Sequence, residues 1–205
     1  MTDYSLNHAG LLRFVLTVAS VALFCAPVAS ATEVRDSVKA ASDDVHVLDA
    51  ATLLNQTSVA FGNWGPESTD AGLRFSNVVI PPAAVIDSAK LLLTAYATTT
   101  ATVPAVIRGE DTASATAFST GTDFSSRYRT ADSVIWNLDS NSAWTADDIV
   151  TTPNIAAVIQ HIINRPDWSS GNAIVLFIEN NGAGWGVLRR VYAREAGQPD
   201  RTAKL

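Results

Sequence analysis

Two tryptophans stand in loops whose composition favours ligand binding. Trp64 lies in an Asn-Trp-Gly-Pro-Glu segment and Trp185 in an Asn-Gly-Ala-Gly-Trp-Gly segment. An exposed indole can stack on the apolar C–H face of a sugar ring, while nearby polar groups bond the hydroxyls. We therefore expect Trp64 and Trp185 to form a glycan platform, with Asn63, Asn181 and Arg189 as hydroxyl partners. The alternative is that each indole folds back over one end of the core.

A second aromatic candidate is Tyr128, which stands between Arg127 and Arg129. Two cations beside an aromatic ring would suit an acidic polysaccharide. The remaining tryptophans are expected to be structural: Trp136, Trp144 and Trp168. The aromatic side chains thus indicate a polysaccharide or a cell-surface glycan as the partner.

Carboxylates are the best candidates for holding a metal ion. Glu110 and Asp111 follow Gly109 where a strand is predicted to end. Because Ca²⁺ takes oxygen ligands from loop carboxylates and carbonyls, this pair is where a structural calcium ion would be expected. No motif requires a cofactor.

Catalytic signatures are weak throughout the sequence. The G-x-S-x-G pattern of a serine nucleophile does not occur. His46 and His161 lack a second histidine at ligand spacing, so we expect both to be ordinary surface residues. A glycosidase-like carboxylate pair would need side chains roughly 5 to 10 Å apart, a separation that spacing along the chain does not establish. A carboxylate-dependent polysaccharide lyase or hydrolase is therefore the least favoured function.

The first 31 residues have the pattern of a secretory signal. Arg13 precedes the apolar run Phe14–Val28, and Ala29-Ser30-Ala31 supplies small residues for cleavage after Ala31. The run is shorter than the roughly 20 apolar residues of a membrane span. We expect a protein exported by a bacterium, secreted or held at the cell surface, with no membrane contact after cleavage.

The net charge bears on the class of partner, and the single cysteine bears on how the exported chain is stabilised. The formal net charge is −6, and removal of Asp3 together with Arg13 leaves it unchanged. This balance argues against nucleic acid as a partner. Cys25 is the one cysteine and lies in the signal segment, so the exported chain must be stable without disulfides.

Alternation of apolar and polar residues predicts a single, mostly β domain over residues 43–205, after a flexible lead-in over 32–42. Ala89–Tyr96 alternates as a half-buried strand does, and Ala173–Ile178 is apolar on both faces, as a central strand is. Short strands separated by frequent turn residues favour a jelly-roll-like antiparallel β-sandwich.

One segment, about 152–164, has helical periodicity instead. Thr152 can cap a helix, and Pro153 suits the first helical position. The apolar residues that fall on one helical face are Ile155, Val158, Ile159, Ile162 and Ile163. We expect one short amphipathic helix that packs on the sheets.

Three segments together resemble exported bacterial β-sandwich modules of the DNRLRE type. They are LRFSNVVIPPAAVIDSAKLLL (Leu73–Leu93), VIRGEDTASATAF (Val106–Phe118) and TTPNIAAVIQHIINRPDWSSGNAIVLFI (Thr151–Ile178). Such modules end in a Pro-x-Leu-x-Val-x-Tyr strand, of which Ala203–Leu205 would be the first half, so a last strand is expected to be missing. The resemblance implies a carbohydrate-binding or surface-assembly unit.

Two functions remain open at this stage. The favoured one is a non-catalytic extracellular module that binds polysaccharide through loop aromatics. The alternative is a structural protein that associates with itself or with another surface protein through exposed sheet edges. A fold of this kind hosts many functions, so the site must decide between them.

Overall fold

The strands form antiparallel sheets, as the alternating pattern predicts. The computed structural model describes residues 32–48, 51–65 and 68–205. The expected signal segment, residues 1–31, lies outside the described residues. The mostly β class is confirmed, and the jelly-roll connection stays a prediction.

Eleven strands and two α-helices occur in the described residues. The strands are β1 (Asp44–Leu48), β2 (Ala51–Leu53), β3 (Ser58–Asn63), β4 (Ser68–Thr69), β5 (Ala71–Phe75), β6 (Leu92–Thr94), β7 (Ala105–Glu110), β8 (Arg129–Trp136), β9 (Ile149–Thr151), β10 (Ile174–Asn180) and β11 (Leu188–Tyr192). The helices are α1 (Asp123–Ser126) and α2 (Ala156–Ile163), and two 3₁₀ turns follow at Arg194–Ala196 and Pro199–Arg201.

The larger sheet has the strand order β2-β1-β5-β10-β7-β8, with β10 near its centre. Each face of β10 is buried, which confirms the central strand predicted from its apolar run. Leu176 faces the main core, and Phe177 packs on the opposite side of the sheet. A strand covered on both faces loses its polar alternation, because neither set of side chains meets water.

A second layer faces the larger sheet across the main core. It consists of β11-β3-β4 and of the pair β6-β9, joined by a bridge between Ala95 and Val191. Both layers contribute fully buried side chains, among them Phe61, Leu73, Leu93, Ile107 and Leu176. Burial of these apolar residues is the main stabilising contribution to the sandwich.

The segment between β7 and β8, residues 111–128, folds over the outer face of the larger sheet. Its Phe118 and Phe124 pack on Phe177, and the rings of Phe124 and Phe177 lie 5.1 Å apart, edge to face. Gly72 lies opposite Phe177 and leaves room for these rings. These rings therefore bury the part of the outer face around Phe177.

Helix α2 confirms the predicted apolar stripe but begins later than predicted. Thr152 is wrong as a cap, because its hydroxyl accepts the Leu91 N–H at 3.0 Å and the chain there still pairs with β6. The helix starts at Ala156, whose N–H donates to the Asn154 side chain. None of the helices described, α2 included, has the length and apolar character to cross a membrane.

The segment 32–42, expected as a flexible lead-in, packs on the domain through Asp36 and Val38. The Asp36 N–H donates to the Leu205 carbonyl, and the Val38 N–H donates to the Ala203 carbonyl. Val38 is buried in the main core. Lys204 in turn bridges to Leu92, so the last three residues lie between the lead-in and β6.

We predict that Gly72→Ala destabilises the domain by about 1 to 3 kcal/mol, because overpacking a dense core forces neighbours out of place. A methyl group there would meet the Phe118 ring at 2.6 Å. Urea denaturation measures the change. Gly184→Ala is the control, since its nearest neighbour would be Val187 at 3.9 Å; equal stability of the two variants would contradict the packing argument.

Candidate functional site

The fold brings Trp64 and Trp185 to the same end of one sheet. Gly62 pairs with Leu188, and the Asn63 N–H donates to the Val187 carbonyl at 2.7 Å. Trp64 directly follows β3, and Trp185 lies just before β11, so the register places both at adjacent strand ends. Their exposed fractions are 59% and 78%. Neither indole folds back over the core.

Asparagine and glycine residues shape the loops that carry this tryptophan pair. The Asn63 side-chain oxygen accepts the Gly65 N–H, and the Asn180 side-chain oxygen accepts the Ala183 N–H at 2.8 Å. Gly186 has a φ of +73°, which a side chain would strain. These local bonds give the loops a defined path, and both indoles remain in solvent.

Of the expected hydroxyl partners, Asn63 and Asn181 lie beside the tryptophan pair. Asn63 is half-buried at the end of β3, and Asn181 is exposed at the start of the Trp185 loop. The Asn181 N–H donates to the Pro104 carbonyl at 2.9 Å, which anchors that loop to the start of β7. The Asn181 side chain thus has a fixed base and faces solvent.

Arg189 was expected as a third hydroxyl partner, and this expectation is wrong. Its side chain is fully buried. The guanidinium donates to the carbonyls of Ala101 and Ser142, at 2.6 Å each, and lies 4.7 Å from the Trp144 ring centroid. Burial lowers the pKa of Arg189, and the nearby Asp139 opposes that shift. Arg189 holds two loops together and does not reach a ligand.

We predict that Arg189→Lys costs about 2 to 3 kcal/mol of stability, since a lysine cannot reproduce the planar fork and leaves carbonyls unpaired. Urea denaturation of the purified protein measures it. Arg190→Lys on the next, exposed position serves as the matched control and should change stability by less than about 0.5 kcal/mol. A small loss at both positions would exclude the bracing role of Arg189.

Tyr128 is exposed, but the structure separates it from the tryptophan pair. It follows α1 near the Glu110 end of β7, while Asn181 lies near the Ala105 end, roughly 16 Å of strand away. The expectation that its neighbouring arginines form a cationic site is wrong. Arg127 is buried and bonds Glu110 and Asp123, and Arg129 bonds Glu179. The charges of both arginines are therefore neutralised by ion pairs. Their other hydrogen bonds hold the segment 111–128 on the larger sheet.

Glu110 and Asp111, the expected calcium ligands, have different partners. Glu110 pairs with Arg127 at 2.8 Å, whereas Asp111 pairs with Arg165 at 2.5 Å. Within residues 32–48, 51–65 and 68–205 no three acidic, histidine or cysteine side chains are grouped as metal ligands. The two carboxylates act as separate anchors for the segment after β7.

His161 is half-buried on α2 and takes part in a charge network. Its Nδ1 lies 2.7 Å from the Asp132 carboxylate, and its Nε2 lies 3.6 Å from Asp111. An imidazole needs a free nitrogen directed at a reacting group to transfer a proton. Here both ring nitrogens face carboxylates, so the network ties α2 to β8 and to the segment after β7.

An acid pair, Asp44 and Glu195, lies at the start of β1, and Asp44 is buried. Asp44 pairs across strands with Leu73 and so faces the space between the sheets. Its side chain lies near that of Glu195 and accepts the Arg194 N–H at 2.8 Å, while the second Asp44 oxygen and the Glu195 Oε2 are buried with no hydrogen-bond partner among the described residues. Burial raises the pKa of Asp44 to about 8; the Arg194 bond opposes the rise and Glu195 adds to it. Burial also lowers the pKa of His46 on the same strand.

We predict that the acid pair makes the domain less stable as pH rises from about 4 to about 8. In that window folded Asp44 keeps a proton that the unfolded chain releases, at a cost of up to about 1.4 kcal/mol per pH unit. Asp44→Asn should flatten the slope, because an amide does not titrate. Chemical denaturation across pH 4 to 9 measures this effect. The exposed Asp87→Asn variant is the control, and parallel curves for both variants would contradict the prediction.

No protein-family model matches the chain, and no curated protein matches its sequence. The resemblance to DNRLRE-type modules therefore stays a prediction that rests on the residues quoted above. The tryptophan pair, with Asn63 and Asn181, is the candidate functional site on geometric grounds alone.

Proposed function

We propose that this domain is a non-catalytic extracellular binding module that takes polysaccharide through Trp64 and Trp185. The observation that carries the proposal is the exposure of two indoles at adjacent strand ends, 59% and 78%. Large aromatic side chains are normally mostly buried, so an exposed pair fixed by well-formed loops favours a binding role. A carbohydrate fits because its rings offer apolar faces for stacking and hydroxyls for the neighbouring amides.

A polymer suits the site better than a single sugar. Stacking on one exposed indole supplies a modest part of a binding free energy, and the shallow loops enclose little of a ligand. A chain of linked sugars can occupy both indoles at once, and the second contact then forms at high effective concentration. The short distance between the two strand ends favours such a paired contact.

A binding role rather than catalysis is supported by the state of the candidate carboxylates. Glu110 and Asp111 each bond an arginine, and Asp132 bonds His161. Ion-paired side chains of this kind serve to fasten segments. The tryptophan pair is flanked by amides, which bind hydroxyls but do not transfer protons at neutral pH.

A second candidate function is self-association through a sheet edge, and one strand favours it. β8 is an edge of the larger sheet, with β7 as its one neighbouring strand in the described part of the chain. Ile135 on β8 is 49% exposed. An uncovered edge with an apolar side chain can accept a strand from another molecule.

We predict that a polysaccharide present in a native gel retards the protein, and that Trp64→Ala and Trp185→Ala each weaken the affinity about tenfold or more. Loss of a central aromatic contact commonly costs more than about 1.4 kcal/mol of binding free energy. Affinity gel electrophoresis over a panel that includes alginate, pectin and neutral glucans measures the retardation. Tyr128→Ala, an equally exposed aromatic at the other end of the sheet, is the matched control.

Equal loss of retardation in the Tyr128 variant would contradict the assignment of the site. Uniform migration through every gel would contradict the carbohydrate ligand. Sedimentation velocity at increasing protein concentration then tests the second candidate, since association through β8 predicts oligomers that Ile135→Lys disperses.

A further inference from the structure

In the part of the chain that the structure describes, the loops around the tryptophan pair contain no basic residue. The Trp64 loop and its strand, residues 55–73, contain no lysine or arginine, and neither does the Trp185 loop, residues 180–188. The adjoining segment 97–107, which contacts both through Val103 and Pro104, has none either. The charged side chains that these segments do contain are acidic, namely Glu67 and Asp70.

Arginines on the flanking strands are already bonded within the domain. Arg189 is fully buried among loop carbonyls. Arg108 and Arg129 both pair with Glu179, at 2.9 Å each, on the covered side of the larger sheet. None of these three guanidinium groups can turn toward a ligand without breaking a bond that holds the fold.

Arg190 is the exposed cation closest along β11. It lies opposite Ala60, three residues and roughly 10 Å of strand from Asn63. Its guanidinium lies 5.4 Å from the Tyr96 ring centroid, so it is directed toward β6 and away from the Trp185 loop. Its guanidinium is thus already engaged by an aromatic ring outside the Trp64 and Trp185 loops.

We infer that the ligand of the tryptophan pair is a neutral polysaccharide, and not one that carries a carboxylate or sulfate on its sugars. The inference rests on the proposed function of the same site. An acidic sugar would lose part of its hydration on stacking and find no cation to replace it, while the net charge of −6 opposes its approach. The site then selects uncharged polysaccharides in two ways, because it stacks on their sugar rings and offers no cation to an acidic sugar.

The groups around the indoles match a neutral sugar. Asn63 and Asn181 offer amide donors and acceptors, and Thr102, beside Val103, adds an exposed hydroxyl. Each such group can donate to one hydroxyl and accept from another, which a carboxylate cannot reciprocate. Acidic glycans would be expected at arginine clusters, where bidentate pairing is available.

The test compares polymers that share a backbone and differ in charge. Fully methyl-esterified homogalacturonan is paired with its de-esterified form, and hydroxyethylcellulose with carboxymethylcellulose; xyloglucan, galactomannan and alginate complete the panel. We expect retardation by at least one neutral polymer, at least tenfold weaker affinity for an acidic chain of the same backbone, and no change when the ionic strength is raised tenfold, because screening acts on charges alone.

Two variants of the full-length protein sharpen the result. Asn181→Lys places a cation beside Trp185 and should strengthen binding to the acidic member of a pair at low ionic strength. Arg190→Gln should leave the affinity for the neutral polymer within about twofold, the level of a surface change without a contact. Thermal unfolding checks that both variants remain folded.

The outcomes separate the inference from the function on which it rests. Preference for the acidic polymers, weakened by Arg190→Gln and by salt, would overturn the neutral ligand and keep the binding module. Failure of every polymer, neutral and acidic, to retard the protein would overturn both. Retardation by neutral chains that disappears in Trp64→Ala supports both.

Discussion

The buried guanidinium of Arg189 is the contact on which the end of this domain that carries Trp64 and Trp185 depends. It follows Leu188 at the start of β11, beneath the loop that presents Trp185. From there it donates to carbonyls on two other connections, at Ala101 and at Asp139 and Ser142. Carbonyls turned toward a core need a donor, and one planar fork satisfies several of them at once. The three connections are thereby fixed relative to one another, and the exposed indoles gain a rigid base.

Arginine plays the same part elsewhere in a domain that has no cysteine beyond the segment before residue 32. Arg127 bonds the backbone of the covering segment at Thr116 and Ala117 while it pairs with Glu110. Arg74 joins the Ala115 carbonyl to Asp43. Long connections that carry little apolar surface are thus held by charge-assisted hydrogen bonds where an exported domain often uses disulfides. The consequence for function is that few cations remain at the surface.

The two ends and faces of the sandwich therefore differ in character. The segment 111–128 closes the outer face of the larger sheet with aromatic and ion-paired side chains. At the end of the sandwich that carries Trp64 and Trp185, the loops are rich in glycine and asparagine and leave both indoles in solvent. Asp44, on β1 of the larger sheet, lies near Glu195, and burial raises the pKa of Asp44 to about 8. Aromatic and ion-paired side chains thus cover part of the outer face of the larger sheet, whereas the exposed indoles lie at one end of the sandwich.

The sequence by itself determined the mostly β class, the apolar stripe of α2 and the central position of β10, because these follow from periodicity and local composition. It left open whether Trp64 and Trp185 are exposed, and the structure places both in solvent. Only the tertiary structure decided the direction of charged side chains. The sequence does not distinguish three buried or half-buried arginines from surface cations, namely Arg127, Arg129 and Arg189. Each of them bonds carbonyls or carboxylates that are distant along the chain. The late start of α2 and the burial of Asp44 have the same origin, since both Thr152 and Asp44 are placed by pairing with chain segments that are distant in sequence.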